Sequence, residues 1–95
     1  MREITLDSTV VRAEDIMASP VDKELVMMSL ERGMYYSLDP IGADIWERLA
    51  QPVRVADLCA QLVRVYAVEP ETCAVDVLAV LNDMAGNGLL AQGTS

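Results

Sequence analysis

The stretch Glu24–Trp46, ELVMMSLERGMYYSLDPIGADIW, most constrains what this chain can fold into. Two short apolar runs, Leu25–Leu30 and Met34–Leu38, flank Glu31, Arg32 and Gly33. A three-residue hairpin loop ends on a residue with positive φ, and Gly33 stands at that place. This loop sets Leu30 opposite Met34, Met28 opposite Tyr36 and Val26 opposite Leu38. Side chains alternate across a strand, so these six share one face, predicted to be buried. Leu25, Met27, Ser29, Tyr35 and Ser37 form a more mixed, half-wet face. Asp39 is then a good helix N-cap, with Pro40 at the first helical position.

The rest of the chain must fit around this hairpin. Its 95 residues make one small domain, 1–95, with 53% hydrophobic and 23% charged residues, a globular rather than disordered balance. No apolar run approaches a membrane span. Arg2, Glu3, Asp7 and Arg12 break up the N-terminus, so no signal peptide is expected and the protein is predicted to be soluble and cytoplasmic. The net charge of −8, from 7 basic and 15 acidic residues, argues against a nucleic-acid partner, whose phosphates need a basic face. Cys59 and Cys73 form no CxxC and are read as small buried residues in a reducing compartment.

The absence of histidine removes His-based general bases, Ser-His-Asp triads and His metal sites together. The glycines form no phosphate loop. Asp39, Asp44 and Glu47 read as a helix start and a solvated face. The chain is therefore expected to be no enzyme, with no catalytic residue, metal or cofactor.

Ile4 and Leu6 alternate with polar neighbours and suggest a short strand. Thr9–Arg12 is β-branched and reads as another. Ala13–Lys23 reads as a connector, because Ser19-Pro20 and Asp22 are turn chemistry. With the hairpin this gives an antiparallel meander ending on Met34–Leu38. Ile41, Ile45 and Leu49 mark a helix over Pro40–Ala50, stopped by Gln51-Pro52. Val55, Leu58, Leu62 and Val65 mark a second helix, Val55–Tyr66. A third runs from Pro70 to about Asn87. Gly88 ends it, and Leu89-Leu90 return as a tail strand. Three strands followed by three helices predict an α+β, winged helix-turn-helix-like domain. Its acidity sets it apart from the DNA-binding use of that fold.

On a helical wheel the third helix has a core stripe of Ala74, Val77, Leu78, Leu81 and Ala85, with Asp83 opposite. One shoulder adds Cys73, Val80 and Met84, with Asp76 and Asn87 at its margin. That shoulder is either packed against the fold or forms the wall of a groove. Met34–Leu38 is an edge strand without proline, lysine or obvious bulge. Such an edge is either covered by the chain itself or accepts a guest strand. It also admits a second copy of the chain, a homodimer.

The sequence ELVMMSLERGMYYSLDPIGADIWERL, followed by RVADLCAQLVRVYAVEPETCAVDVLAVLNDMAGNGLL, resembles the PqqD-like family of RiPP recognition elements over about residues 9–90. The resemblance rests on Glu24-Leu25-Val26, Gly33, Tyr35-Tyr36, Leu38, Gly42 and Ile45-Trp46. Val68, Pro70-Glu71, Asp76-Val77 and the closing Gly88-Leu89-Leu90 extend it. It implies non-catalytic binding of the leader of a ribosomally made precursor peptide, which adds as a strand and lies against the third helix. The positions implied for peptide binding are Met34, Tyr35, Tyr36, Ser37 and Leu38 on the strand. On the helix they are Cys73, Asp76, Val77, Val80 and Met84. The free-standing domain with its Tyr-Tyr strand is similar to the discrete proteins of lasso-peptide biosynthesis, whose partners are a leader peptidase and a cyclase. The alternatives are a peptide chaperone for a radical-SAM enzyme of the pyrroloquinoline quinone type and, third, a DNA-binding winged helix.

Overall fold

The computed structural model describes residues 3–30 and 32–91. The elements run β1 (Thr9–Val10), β2 (Ile16–Val21), β3 (Glu24–Ser29), β4 (Met34–Leu38), α1 (Pro40–Arg48), β5 (Val53–Arg54), α2 (Val55–Tyr66) and α3 (Pro70–Gly86). Strands β2, β3 and β4 form a three-stranded antiparallel meander, and β1 pairs separately with β5. The fold is the α+β arrangement expected, a three-stranded sheet followed by three helices.

The first strand of the meander is not where the sequence placed it. Thr9–Val10 belongs to the small β1–β5 pair, and the expected connector contains β2. Ser19-Pro20 pointed away from a strand. β2 is an edge strand, however, and an edge tolerates a residue that donates no N–H. β2 and β3 are joined by Asp22-Lys23, with Asp22 at φ +56°. Aspartate is among the few non-glycine residues that visit this region readily. Residues 3–8 form no strand, although Ile4 is buried. Its backbone is gripped by the Asn82 side chain: Ile4 N–H donates to Asn82 Oδ1 at 3.1 Å.

The β3–β4 register also differs from the expectation. The last pair is Ser29 with Met34, leaving residues 30–33 in a connection one residue longer than expected. Met27 then faces Tyr36 and Leu25 faces Leu38, while Met28 faces Tyr35 and Val26 faces Ser37. Tyr36 and Leu38 point inward as anticipated, but on β3 the inward residues are Leu25, Met27 and Ser29, not Val26 and Met28. Leu30 is exposed at the turn. Gly33 does hold positive φ, +66°, and its N–H donates to Ser29 O at 2.8 Å. Buried Ser29 is satisfied at this turn, its hydroxyl accepting from Arg32 N–H at 3.2 Å.

Helix α1 starts as its sequence dictates. Asp39 caps it, the carboxylate accepting from Gly42 N–H at 2.7 Å, and Pro40 opens the first turn. A β-carbon on buried Gly42 would lie 3.2 Å from Leu38 Cβ, so α1 crosses closely over the end of β4. Ile45, Trp46 and Leu49 carry the helix into the core, whereas Ile41 is exposed. Helix α2 matches its expected span and buries Val55, Leu58, Cys59 and Leu62. It ends on Ala67 in the left-handed region at φ +52°. Helix α3 is closed by Gly88 at φ +73°. The tail returns beside the N-terminal segment through an Arg12–Leu90 bridge. Arg12 N–H bonds Leu49 O, and Ala13 N–H bonds Leu89 O.

Candidate functional site

The site is built from a sheet edge and a helix shoulder. β4 is the last strand of the meander, and among the described residues no strand pairs with its outer edge. An open row of backbone donors and acceptors is a template for another strand. Met34 and Tyr35 are large apolar residues on this strand, 49% and 73% exposed, while Tyr36 and Leu38 are partly buried against the core. Ser37 faces outward, its hydroxyl donating to Glu24 on β3 at 3.1 Å.

The C-terminus of α3 meets β4 at the hairpin end. Tyr36 Oη donates to Asn87 O at 3.3 Å, and Arg32 Nη1 donates to Gly86 O at 3.3 Å. Elsewhere along β4, among the described residues, no hydrogen bond ties this strand to α3. The two elements are thus pinned at one end. At the other, α1 is packed on Leu38 through Gly42.

The five helix positions fall into three settings. Cys73, Val77 and Met84 are core residues, 6%, 3% and 2% exposed. Cys73 Sγ lies 3.8 Å from Cys59 O, which places it in the α2–α3 contact and not on an open wall. Burial, and next the neighbouring Cys73, pushes the Cys59 thiol up to about 11, so Cys59 is protonated at neutral pH. Val80 is half-buried at the margin of the core, and Asp76 is exposed. The core stripe expected for α3 is therefore rotated. Leu81 and Val77 stay at its centre, but Cys73 and Met84 join it, and Ala74, Leu78 and Ala85 move to its edge. On the face of the helix that leads to Asn87, which accepts from Tyr36, the accessible residues are exposed Asp76 and half-buried Val80, with exposed Asp83 beyond them. The opposite side of α3 is occupied by the N-terminal segment, through Asn82 and Ile4.

Arg32 is the residue of this site that sequence reasoning missed. It was visible only as part of a turn. Its reach to Gly86, across 54 positions of sequence, leaves no local signal. An apolar concavity of about 420 Å³ lies elsewhere, between Leu6, α2 and the start of α3. Among the described residues no group of acidic or cysteine side chains is arranged to hold a metal ion. None of their helices is long and apolar enough to cross a membrane.

The family resemblance read from the sequence is borne out by a family profile. The profile described as coenzyme PQQ synthesis protein D (PqqD) matches residues 24–90, from the first residue of β3 to the tail bridge. The chain belongs to the PqqD family. Among solved structures, TbiB1 in complex with the TbiA(beta) leader peptide is similar at 26% identity, with a TM-score of 0.79. That match covers 90% of this chain and 98% of the other. Lasso peptide synthetase B1 complexed with its leader peptide shares the fold at 24% identity and a TM-score of 0.75, covering 86% and 96%. No curated protein matches the sequence significantly. The profile begins after β2, so β1 and β2 lie outside the matched segment.

Proposed function

We propose that this PqqD-family protein binds the leader segment of a ribosomally synthesised precursor peptide and presents it to maturation enzymes, without catalysing a reaction itself. The observation that carries the reading is the unpaired edge of β4, joined at its hairpin end to the C-terminal end of α3, the helix on which Val80 stands half-buried beside exposed Asp76. A guest strand gains backbone hydrogen bonds from the edge and side-chain contacts from the helix. The two similar structures, both of proteins bound to leader peptides, support the same reading. One of the two is a lasso peptide synthetase B1, and that setting favours a leader peptidase and cyclase over a radical-SAM enzyme as the downstream partners. The net charge of −8 disfavours the DNA-binding use of the fold.

Contact residues are assigned from exposure. Met34, Tyr35 and Ser37 line the open strand, and Val80 and Asp76 offer contact on the helix. Tyr36 and Leu38 present backbone and part of their side chains. Cys73, Val77 and Met84 support the wall from behind. The test is calorimetry with the leader of a precursor encoded beside this protein, combined with amide-shift mapping. Binding should move the amides of residues 34–38 and of Val80 most. Shifts concentrated on α2 would reject the edge as the binding surface.

A further inference from the structure

The β4–α3 site has uneven ends. Helix α3 carries Glu71, Asp76 and Asp83 and no lysine or arginine, and its last turn has no basic residue of its own. Strand β4 has no charged residue and is followed by Asp39. The cation that flanks this strand is Arg32, two residues before Met34 at the hairpin end. Its guanidinium reaches across to the α3 C-terminus, donating to Gly86 O at 3.3 Å. A β-carbon at Gly88 would lie only 3.2 Å from its Nη1. A strand lying between β4 and α3 therefore meets this bridge where it leaves the hairpin end.

A guanidinium has five N–H donors in a fixed fork, and the Gly86 carbonyl takes one of them. The remaining donors suit a carboxylate, which can accept two in parallel. Glu31 precedes Arg32 in sequence, so the turn has little net charge. The preference arises from directed hydrogen bonds and not from a long-range field.

We propose that Arg32 receives an acidic side chain of the guest strand, while the far end of β4, followed by Asp39, favours a basic one. The pair of charges thereby fixes the direction in which the guest lies. The inference rests on the leader-binding reading above. Antiparallel pairing, the commoner mode, puts the basic residue N-terminal to the acid. β4 spans Met34–Leu38, so the two are about four to six residues apart at about 3.3 Å per residue.

The probe is a phage-displayed library of random 16-residue segments selected on the immobilised full chain, as wild type and as Arg32→Glu. Wild type should enrich Asp or Glu at the position following the apolar anchors. Arg32→Glu should enrich Lys or Arg there, with the anchors unchanged. Resynthesised peptides should lose about three- to fivefold in affinity on charge reversal, regain it on the reversed protein, and lose the difference in high salt. Arg32→Gln, with a thermal melt, separates recognition from loss of the Gly86 bond: a purely structural role lowers its melting temperature and leaves peptide preference unchanged. If selected peptides shift the β4 amides but show no charge preference, the Arg32 assignment fails and the leader site stands. If they leave β4 unmoved, both fail.

Discussion

A residue in this fold takes its role from what holds it, and the α1–α2 clasp makes the point quantitatively accessible. Tyr66 Oη donates to Asp44 Oδ2 at 2.6 Å, Arg48 pairs with Asp44 Oδ1 at 2.9 Å, and Arg48 also reaches Gln61 at 3.0 Å. The Tyr66 hydrogen bond, partly opposed by desolvation and helped by Arg48, holds the Asp44 carboxyl below its ordinary range. The same bond raises the Tyr66 phenol. The signs define a window. Asp44 contributes stability that is complete above the unfolded carboxylate value of about 3.9 and is lost as pH falls through its lower folded value. Tyr66 contributes stability that is complete below about 10 and is lost as pH rises through its higher folded value. Tyr66→Phe should therefore raise the Asp44 titration midpoint, read by carboxyl NMR. It should also flatten the acid limb of the stability profile. An unchanged Asp44 midpoint would show that Arg48 alone sets it.

Elements succeed or fail in sequence according to how many independent signals they carry. Helix α2 ends where a non-glycine residue, Ala67, is forced to φ +52°. An L-residue there costs about 1–2 kcal/mol, and glycine's extra unfolded-state entropy offsets about half of that. Ala67→Gly should stabilise the domain by about 0.5–1 kcal/mol, raising the melting temperature by a few degrees. Thermal unfolding by circular dichroism checks it, and a fall in melting temperature would contradict the cap geometry. The same comparison explains what could be read in advance. α1 was legible because a helical period, an N-cap and a proline agreed on it, and α2 because its apolar residues repeat clearly at helical spacing. The β3 register was not, because Leu25-Val26-Met27-Met28 is apolar at every position and offers no parity. The loop length then decided it, and buried Ser29 satisfying the turn favours the longer loop. β2 was hidden by Ser19-Pro20, and β5 is only two residues long. On α3 the apolar arc is so wide that the wheel could not tell core from wall. Cys73, Val77 and Met84 proved to be core.

At the scale of the whole molecule, the sheet packs on the helices through Met27, with Leu25, Tyr36 and Leu38 around it, and the candidate site lies between two further ties. Arg32 and Tyr36 join the hairpin to the end of α3, and Gly42 lets α1 close on the far end of β4. The N-terminal segment fastens α1 to the tail through Arg12 and Ala13, and its Arg12 guanidinium lies 5.5 Å from the Trp46 ring centroid. A site held at both ends spends little free energy on its own ordering, which favours affinity. A disordered leader still loses about 2–5 kcal/mol on ordering. Two or three apolar anchors, at about 1.5–3 kcal/mol each, must exceed that loss. Val80 is the apolar side chain of the helix wall best placed to receive such an anchor, being half-buried between exposed Asp76 and Asp83. Val80→Glu should place an unpaired carboxylate against the guest and weaken leader binding about tenfold or more, ~1.4 kcal/mol. Because Val80 also touches the core, its melting temperature should fall modestly, and binding must be measured well below the new midpoint. Asp83→Lys, a neighbouring exposed substitution that inserts no charge among apolar atoms, should change affinity by less than about threefold. If both variants bind the leader as wild type does, the guest does not lie against α3, and the edge of β4 must act with some other wall.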